Sequence, residues 1–364
     1  MKLTCERDDL VLGVQTVQRA MPSKSPMAAL EGVLLQAKDN MLRLTCSDSV
    51  LCIENSMPAM VHQEGNIVLP GRLFAELVRK LPQGMVSIDT NGLSIHIACG
   101  QSKMTLQGID AIEYPELPRI TDVRPLEVKQ SDLKNMIQRT SFAVAQDETK
   151  PILQGELMEI EGNKITLVAL DGYRLALCTQ TLMKEDATVR FVVPGKSLSE
   201  IAKLFEDGDA NASICYGTSQ AVVDMGATRI TTRLLEGEYI NYRQILPAER
   251  KTRVRISTEE LFDAVERASL MAREGRNNLI RLEVGESKIS ITANSEIGNA
   301  FEEVPVYMEG RALSIAFNAK YLLDVLRVVK EDEILMDFIS ELSPCVIRPV
   351  EGDEFLYLVL PVRI

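Results

Sequence analysis

The chain has 364 residues, is 46% hydrophobic and 25% charged, and carries a formal net charge of −12 at pH 7. That length exceeds what one hydrophobic core ordinarily serves and predicts several domains, while the composition excludes a disordered or membrane-embedded chain. The acidic balance excludes phosphate binding over the whole surface, which needs cations, but not a localised basic strip on an acidic body.

In chain order, Met1-Lys2-Leu3-Thr4-Cys5-Glu6-Arg7 reaches charge too soon for a signal peptide. A helix is predicted over residues 7–20, with Leu10, Val11, Val14 and Val17 on one face. Alternating strands over 30–37 and 41–45 flank Lys38-Asp39-Asn40 and predict a hairpin. Matching hairpins are predicted around Glu161-Gly162-Asn163 and Gly285-Glu286-Ser287. A second helix is placed after Ser131, read as its N-cap, and a third after Ser257, with Glu260 completing a capping box. Pro-bearing segments at 114–125 and 239–253 are read as boundaries outside any core. No apolar run approaches the ~20 residues of a membrane span, so a soluble cytoplasmic protein is expected.

One stretch is written three times without a gap. Val68-Leu69-Pro70-Gly71-Arg72 opens the first copy, Val192-Val193-Pro194-Gly195-Lys196 the second and Ala316-Phe317-Asn318-Ala319-Lys320 the third. A base recurs at Arg72, Lys196 and Lys320, an acid at Glu76, Glu200 and Asp324, and a base at Arg79, Lys203 and Arg327. Apolar residues at 74, 77, 78 and 81 and their counterparts mark one stripe of a helix, and the charges share another face. Each copy therefore reads as a strand, a turn and an amphipathic helix with a basic outer face. A solvated surface helix explains one such face; three in register point to a shared surface. Each repeat is α+β, with two helices and a set of antiparallel strands, giving domains at 1–122, 123–250 and 251–364.

Catalytic motifs fail on inspection. Gly195-Lys196-Ser197 resembles the end of a phosphate loop, but the glycine that pattern requires is replaced by Arg190. There is no GxSxG and no HExxH. His62 and His96 are the only histidines, and His96 sits on the polar side of an alternating run, which leaves almost no room for a His-based metal site or triad. Seven cysteines without a CxxC pair are expected to be free thiols. No catalytic residue, metal or cofactor is assigned. Two apolar segments stand out: 168–177, interrupted by Asp171-Gly172, and the C-terminal run 355–364. Each reads equally as core strand or as a docking surface.

At these residues a resemblance enters. The threefold repeat, Asp171-Gly172-Tyr173-Arg174-Leu175-Ala176, the segment Gly237 to Pro247 and the ending Leu360-Pro361-Val362-Arg363-Ile364 resemble the bacterial DNA polymerase III beta subunit family over the full length. The resemblance implies three tandem DNA-clamp domains, each with two helices packed on antiparallel sheets, in a head-to-tail homodimeric ring around duplex DNA. It implies a processivity factor without catalytic residues, with the replicative polymerase, the clamp loader and other proteins bearing a clamp-binding motif as partners. A dozen helices side by side at ~10 Å each would circle a bore on the order of 28 Å, and a duplex is on the order of 20 Å across.

On this reading the repeated cations Arg72, Arg79, Lys196, Lys203, Lys320 and Arg327 face the bore, Lys24 matches a family position that touches DNA, and Lys150 lies near another. The implied partner-peptide pocket is Leu153, Leu170, Gly172, Tyr173, Arg174, Leu175, Pro247, Cys345, Leu358, Val359 and Leu360. Leu170, Tyr173 and Leu360 depart from the family's frequent Thr, His and Met, so the rim and preferred peptide are expected to differ. The implied dimer contact joins an edge strand around Met104 to a helix around Leu270 and Met271. The alternatives carried alongside are a carboxylate-based enzyme and a monomeric three-domain adaptor, which chain size in solution would separate.

Overall fold

The computed structural model describes residues 1–115, 125–147, 149–182 and 187–363, and groups them into two compact units. The first comprises residues 1–131 and 203–234; the second comprises 132–202 and 235–364. The expected boundary at 122/123 lies outside the described residues.

The first unit opens with β1 (Lys2–Glu6), α1 (Arg7–Val17), β2 (Gly32–Lys38), β3 (Met41–Ser47), β4 (Leu51–Pro58), β5 (Met60–Gln63) and β6 (Gly65–Pro70). Then follow α2 (Gly71–Lys80), β7 (Met85–Asn91), β8 (Ser94–Cys99), β9 (Ser102–Gln107) and β10 (Leu126–Lys129). The predicted hairpin β2–β3 turns through Asp39 and Asn40, both at positive φ, as a two-residue turn between twisted strands demands. One antiparallel sheet runs β5-β1-β7-β8-β9. On β8, Ile95, Ile97 and Cys99 are buried while His96 faces out toward Thr105 Oγ1 at 3.0 Å, as its alternation predicts.

The second sheet of this unit brings in β15 (Asn211–Tyr216), β16 (Gln220–Asp224) and β17 (Thr228–Arg233), in the order β10-β15-β16-β17-β4-β3-β2-β6. β17 pairs with β4, setting Arg229 opposite Glu54 and Ile230 opposite Ile53, so strands of the first and second repeats share one continuous ladder.

The second unit contains most of α3 (Gln130–Thr140), then β11 (Gly155–Gly162), β12 (Lys164–Leu170), β13 (Arg174–Thr181), β14 (Ala187–Pro194) and α4 (Gly195–Ala202). It continues with β18 (Thr252–Ser257), α5 (Thr258–Arg273), β19 (Leu279–Val284), β20 (Lys288–Ser295), β21 (Gly298–Pro305), β22 (Tyr307–Glu309) and β23 (Leu313–Asn318). It closes with α6 (Ala319–Leu326), β24 (Glu333–Phe338), β25 (Cys345–Pro349) and β26 (Phe355–Val359). Its sheets run β14-β11-β12-β13-β26-β25-β24-β18-β22 and β21-β20-β19-β23.

Two helix starts are instructive. Ser257 caps α5 as expected, its hydroxyl accepting from the Glu260 amide at 3.3 Å. Ser131 does not cap α3, which already begins at Gln130. The Gln130 side chain is drawn into the first unit instead, donating to the Asn211 carbonyl and accepting from the Glu206 amide.

Candidate DNA-facing helices and peptide pocket

The Pro-Gly turns that start α2 and α4 are packing devices. A Cβ at Gly71 would come within 2.8 Å of the Glu31 carbonyl oxygen, and one at Gly195 within 2.9 Å of Val144. The third copy carries Ala319 there, itself buried. Gly195-Lys196-Ser197 is thus the start of a helix pressed against Val144.

Arg72, Lys196 and Lys320 each occupy the second position of their helix, and all three are exposed. A cation in the first turn opposes the positive end of the helix dipole, a mildly unfavourable placement. None of these three helices has an acid in its first turn. The other three behave conventionally: Asp8 and Asp9 open α1, Asp132 lies in the first turn of α3, and Glu259 and Glu260 open α5. The recurring cations therefore do not serve helix stability. Arg79, Lys203 and Arg327 lie at or just beyond the helix ends, where the dipole welcomes them, so a structural role accounts for their position.

Arg72 donates to the Ser23 carbonyl at 2.9 Å and so holds the exposed loop that carries Lys24. Arg79 donates to the Ala75 carbonyl at 3.2 Å. Arg7, which no sequence motif singles out, donates to the Arg79 carbonyl at 2.7 Å and satisfies the C-terminal end of α2 from α1. Lys150 is exposed immediately before Pro151. The acids of the repeat diverge. Glu76 is exposed on α2, whereas the Asp324 side chain is only 16% exposed and lies between Arg174 and Arg327.

The pocket residues lie in the second unit, and strand parity decides which of them meet. Leu153, Leu170, Leu175 and Leu358 are buried together with Ala145, Leu157, Val168, Val192 and Val346, and Leu360 packs partly exposed against them. Cys345 and Val359 do not join this group. They face the opposite side of the sheet, fully buried with Ala169, Ala176, Phe355 and Tyr357. The reason is the period of two: Leu358 and Val359 are neighbours on one strand and point to opposite faces. Burial pushes the Cys345 thiol well above its ordinary range, with Asp337 adding to the effect.

The segment 239–247 corrects the expectation that it lies outside a core. Tyr239 and Tyr242 are buried beside Leu170 and Leu175, and their hydroxyls donate to the Val168 carbonyl at 3.2 Å and to Glu159 Oε2 at 2.7 Å. Arg243 clamps the same Glu159 at 2.7 Å. Ile152, Leu246 and Leu360 are among the partly exposed apolar side chains that pack against this buried group. Pro247 lines an adjoining cavity of about 160 Å³ with Val346, Pro344 and Arg348.

At the rim, Asp171 Oδ1 accepts from the Tyr173 and Arg174 amides, and Gly172 between them sits at φ 94°, where a side chain is disfavoured. Tyr173 stands exposed. Arg174 is buried, bonded to Asp171 at 3.1 Å, to Asp324 at 2.5 Å and to the Phe142 carbonyl at 2.7 Å.

Of the residues expected at a dimer contact, Met104 and Leu270 are exposed, and Met271 is partly buried against the core beneath α5. Met104 lies on β9, at one end of its sheet. β21 lies at one end of the four-stranded sheet, with exposed Phe301 and neighbouring Ile297. A period-two pattern shows such residues but not that their strand is an edge. Among the described residues no helix is long and apolar enough to cross a membrane.

Comparison with known proteins finds relatives that cover the whole chain. Three family models match in sequence order: the N-terminal domain of the DNA polymerase III beta subunit over residues 1–118, its central domain over 127–241 and its C-terminal domain over 243–363. The chain is 36% identical to the beta sliding clamp of Bacillus subtilis, with all of both chains covered. The crystal structure of the DNA polymerase sliding clamp from Bacillus subtilis superposes with a TM-score of 0.98, covering 100% of this chain and 99% of that one. A DNA polymerase III beta subunit structure from Eubacterium rectale gives 0.97 at 32% identity, with both chains fully covered.

Proposed function

The chain belongs to the DNA polymerase III beta subunit family, and from that premise we propose that it is a non-catalytic processivity factor, a clamp that closes around duplex DNA and tethers the polymerase. The observation that carries the reading is the set of three first-turn cations, Arg72, Lys196 and Lys320, each placed against its own helix dipole. A residue repeatedly placed at a cost to its own helix answers to something outside the helix, and phosphate is the ligand that cations of this kind attract without reading sequence. With Lys24, Arg79, Lys150, Lys203 and Arg327 they form the DNA-facing set. Loose, water-mediated attraction without register is what sliding requires.

Two further features support the assembly. β9 and β21 each end a sheet, and an exposed edge is a template for pairing with another chain. Joining β9 of one copy to β21 of a second, with Met104, Leu270, Met271 and Phe301 in the contact, makes a head-to-tail dimer and covers both edges. The apolar mouth at Ile152, Leu246 and Leu360 suits a short linear peptide with apolar anchors, carried by the polymerase, the clamp loader or other clamp-binding proteins. Neither the carboxylate enzyme nor the monomeric adaptor is favoured by relatives that are sliding clamps.

The test is topological. Protein loaded on circular DNA is expected to be retained through a salt wash and released when the circle is cut, because enclosure rather than affinity holds a ring. Equal retention on circular and linearised DNA overturns the reading.

A further inference from the structure

We propose that Asp324 and Tyr321 of α6 are positioning residues for the rim of the peptide pocket, and that Asp324 couples that rim to phosphate bound at Arg327. The inference deepens the clamp reading and rests on it.

The rim is fastened to α6 at two points. Tyr173 stacks on Tyr321, with ring centroids 5.8 Å apart and planes 22° from parallel. Arg174 reaches Asp324 Oδ2 at 2.5 Å while its guanidinium lies 4.8 Å from the Tyr321 ring centre and 5.3 Å from that of Phe142. With Nε donating to Asp171 and Nη2 to the Phe142 carbonyl, each of the three nitrogens of Arg174 has an acceptor, and the side chain is only 8% exposed. Its head group points into this cage, not toward the leucines of the pocket floor, so its contribution to peptide binding is to hold Tyr173 and the 171–174 turn in place.

The same carboxylate faces the other way. Asp324 Oδ1 lies 3.4 Å from Arg327 Nη1, and Arg327 is half exposed. One acid thus serves a buried arginine at the pocket rim and an exposed arginine on the DNA-facing set. When Arg327 swings to a phosphate, Asp324 is left to Arg174 alone, and the buried pair tightens. Linkage makes the effect reciprocal: DNA favours the ordered rim, and an occupied rim favours DNA. The Asp324–Arg327 pair, long at 3.4 Å and half exposed on its arginine side, is a weak one, which limits the coupling to about two- to fivefold in affinity.

The experiment titrates the full-length protein into a fluorescein-labelled peptide carrying the clamp-binding segment of the host's replicative polymerase, with and without a short duplex at low salt. Asp324→Asn is expected to weaken peptide binding about five- to tenfold, and Asp324→Glu, which keeps the charge, to recover most of the loss. The duplex is expected to tighten peptide binding about two- to fivefold in the unaltered protein and not in Asp324→Asn. Unaltered affinity in Asp324→Asn, no recovery in Asp324→Glu, or equal affinity with and without duplex in the unaltered protein overturns the proposal. Should Asp324→Asn not fold, Tyr321→Ala takes its place: it must weaken the peptide for the proposal to stand. Failure of the unaltered protein to bind peptide at all removes the pocket reading itself, and this inference with it.

Discussion

Thr140 Oγ1 lies 2.5 Å from Glu156 Oε2, and the same hydroxyl is 2.9 Å from the Met136 carbonyl one turn back along α3. A hydroxyl has one proton. If it donates to Met136, as threonine hydroxyls in helices do, the proton between Thr140 and Glu156 belongs to the carboxyl group. Glu156 is fully buried, and its other oxygen has no hydrogen-bond partner among the described residues. Burial is the dominant cause that pushes its pKa from 4.5 up to about 8.

The sign of the pH dependence follows. Between pH 4.5 and about 8 the folded chain holds a proton that the unfolded chain has released. The second unit is therefore expected to lose stability as pH rises through that window, at on the order of 1 kcal/mol per pH unit at the steepest, and to level off above it. Glu156→Gln keeps a neutral hydrogen-bonding group and removes this slope. Thermal melts from pH 5 to pH 9 check it: parallel curves for variant and parent would show that Glu156 is ionised in the folded state.

Leu175→Ala combined with Leu360→Ala is expected to weaken polymerase-peptide binding at least tenfold while the dimer persists. Leu175 is part of the buried floor and Leu360 part of the mouth. Truncating the buried one also costs about 2–5 kcal/mol of folding stability, so a melt accompanies the titration. Full peptide affinity in a folded double variant would remove the pocket assignment.

Reversing charge at Lys196 and Lys203 to glutamate is expected to shorten residence on circular DNA. It should also flatten the dependence of loading on salt, by about one unit of log–log slope for each phosphate no longer neutralised. Glutamate at 196 suits the start of α4 whereas glutamate at 203 opposes the dipole at its end, so a thermal melt accompanies the measurement to separate folding from DNA contact. Unchanged residence would make these helices plain surface.

Leu270→Asp with Phe301→Ala is expected to release a 40.4 kDa monomer, read by size-exclusion chromatography with light scattering. Both side chains are exposed on the protomer, so the substitutions spare the core. A species that still runs at twice the mass would move the dimer contact elsewhere.

What is legible in the sequence is what local physics decides. The hairpin at Asp39-Asn40, the Ser257 cap and the amphipathic helices starting at Gly71, Gly195 and Ala319 follow from turn chemistry and period. Ser131 fails as a cap because Gln130, one residue earlier, answers to backbone at 206 and 211, which no local rule contains. Asp324 reads as a solvated acid because its partner Arg174 is 150 residues away in the chain. The buried tyrosines at 239 and 242 escape a sequence reading because Pro and charge around them imitate a linker, whereas their hydroxyls find Val168 and Glu159 only in three dimensions. The face of Val359, by contrast, is decidable from the sequence: adjacent strand residues cannot share a face, and Leu358 takes the pocket side.

The buried floor of the pocket has one more consequence. Leu170, Leu175 and Leu358 are at most 3% exposed, so they hold the second unit together as well as backing the groove. An inhibitor seated there would be hard for a bacterium to escape by altering that floor, since each exchange that spoils the fit also loosens the clamp. Resistance would have to arise instead at the mouth, where Ile152, Leu246 and Leu360 can change shape without undoing the fold.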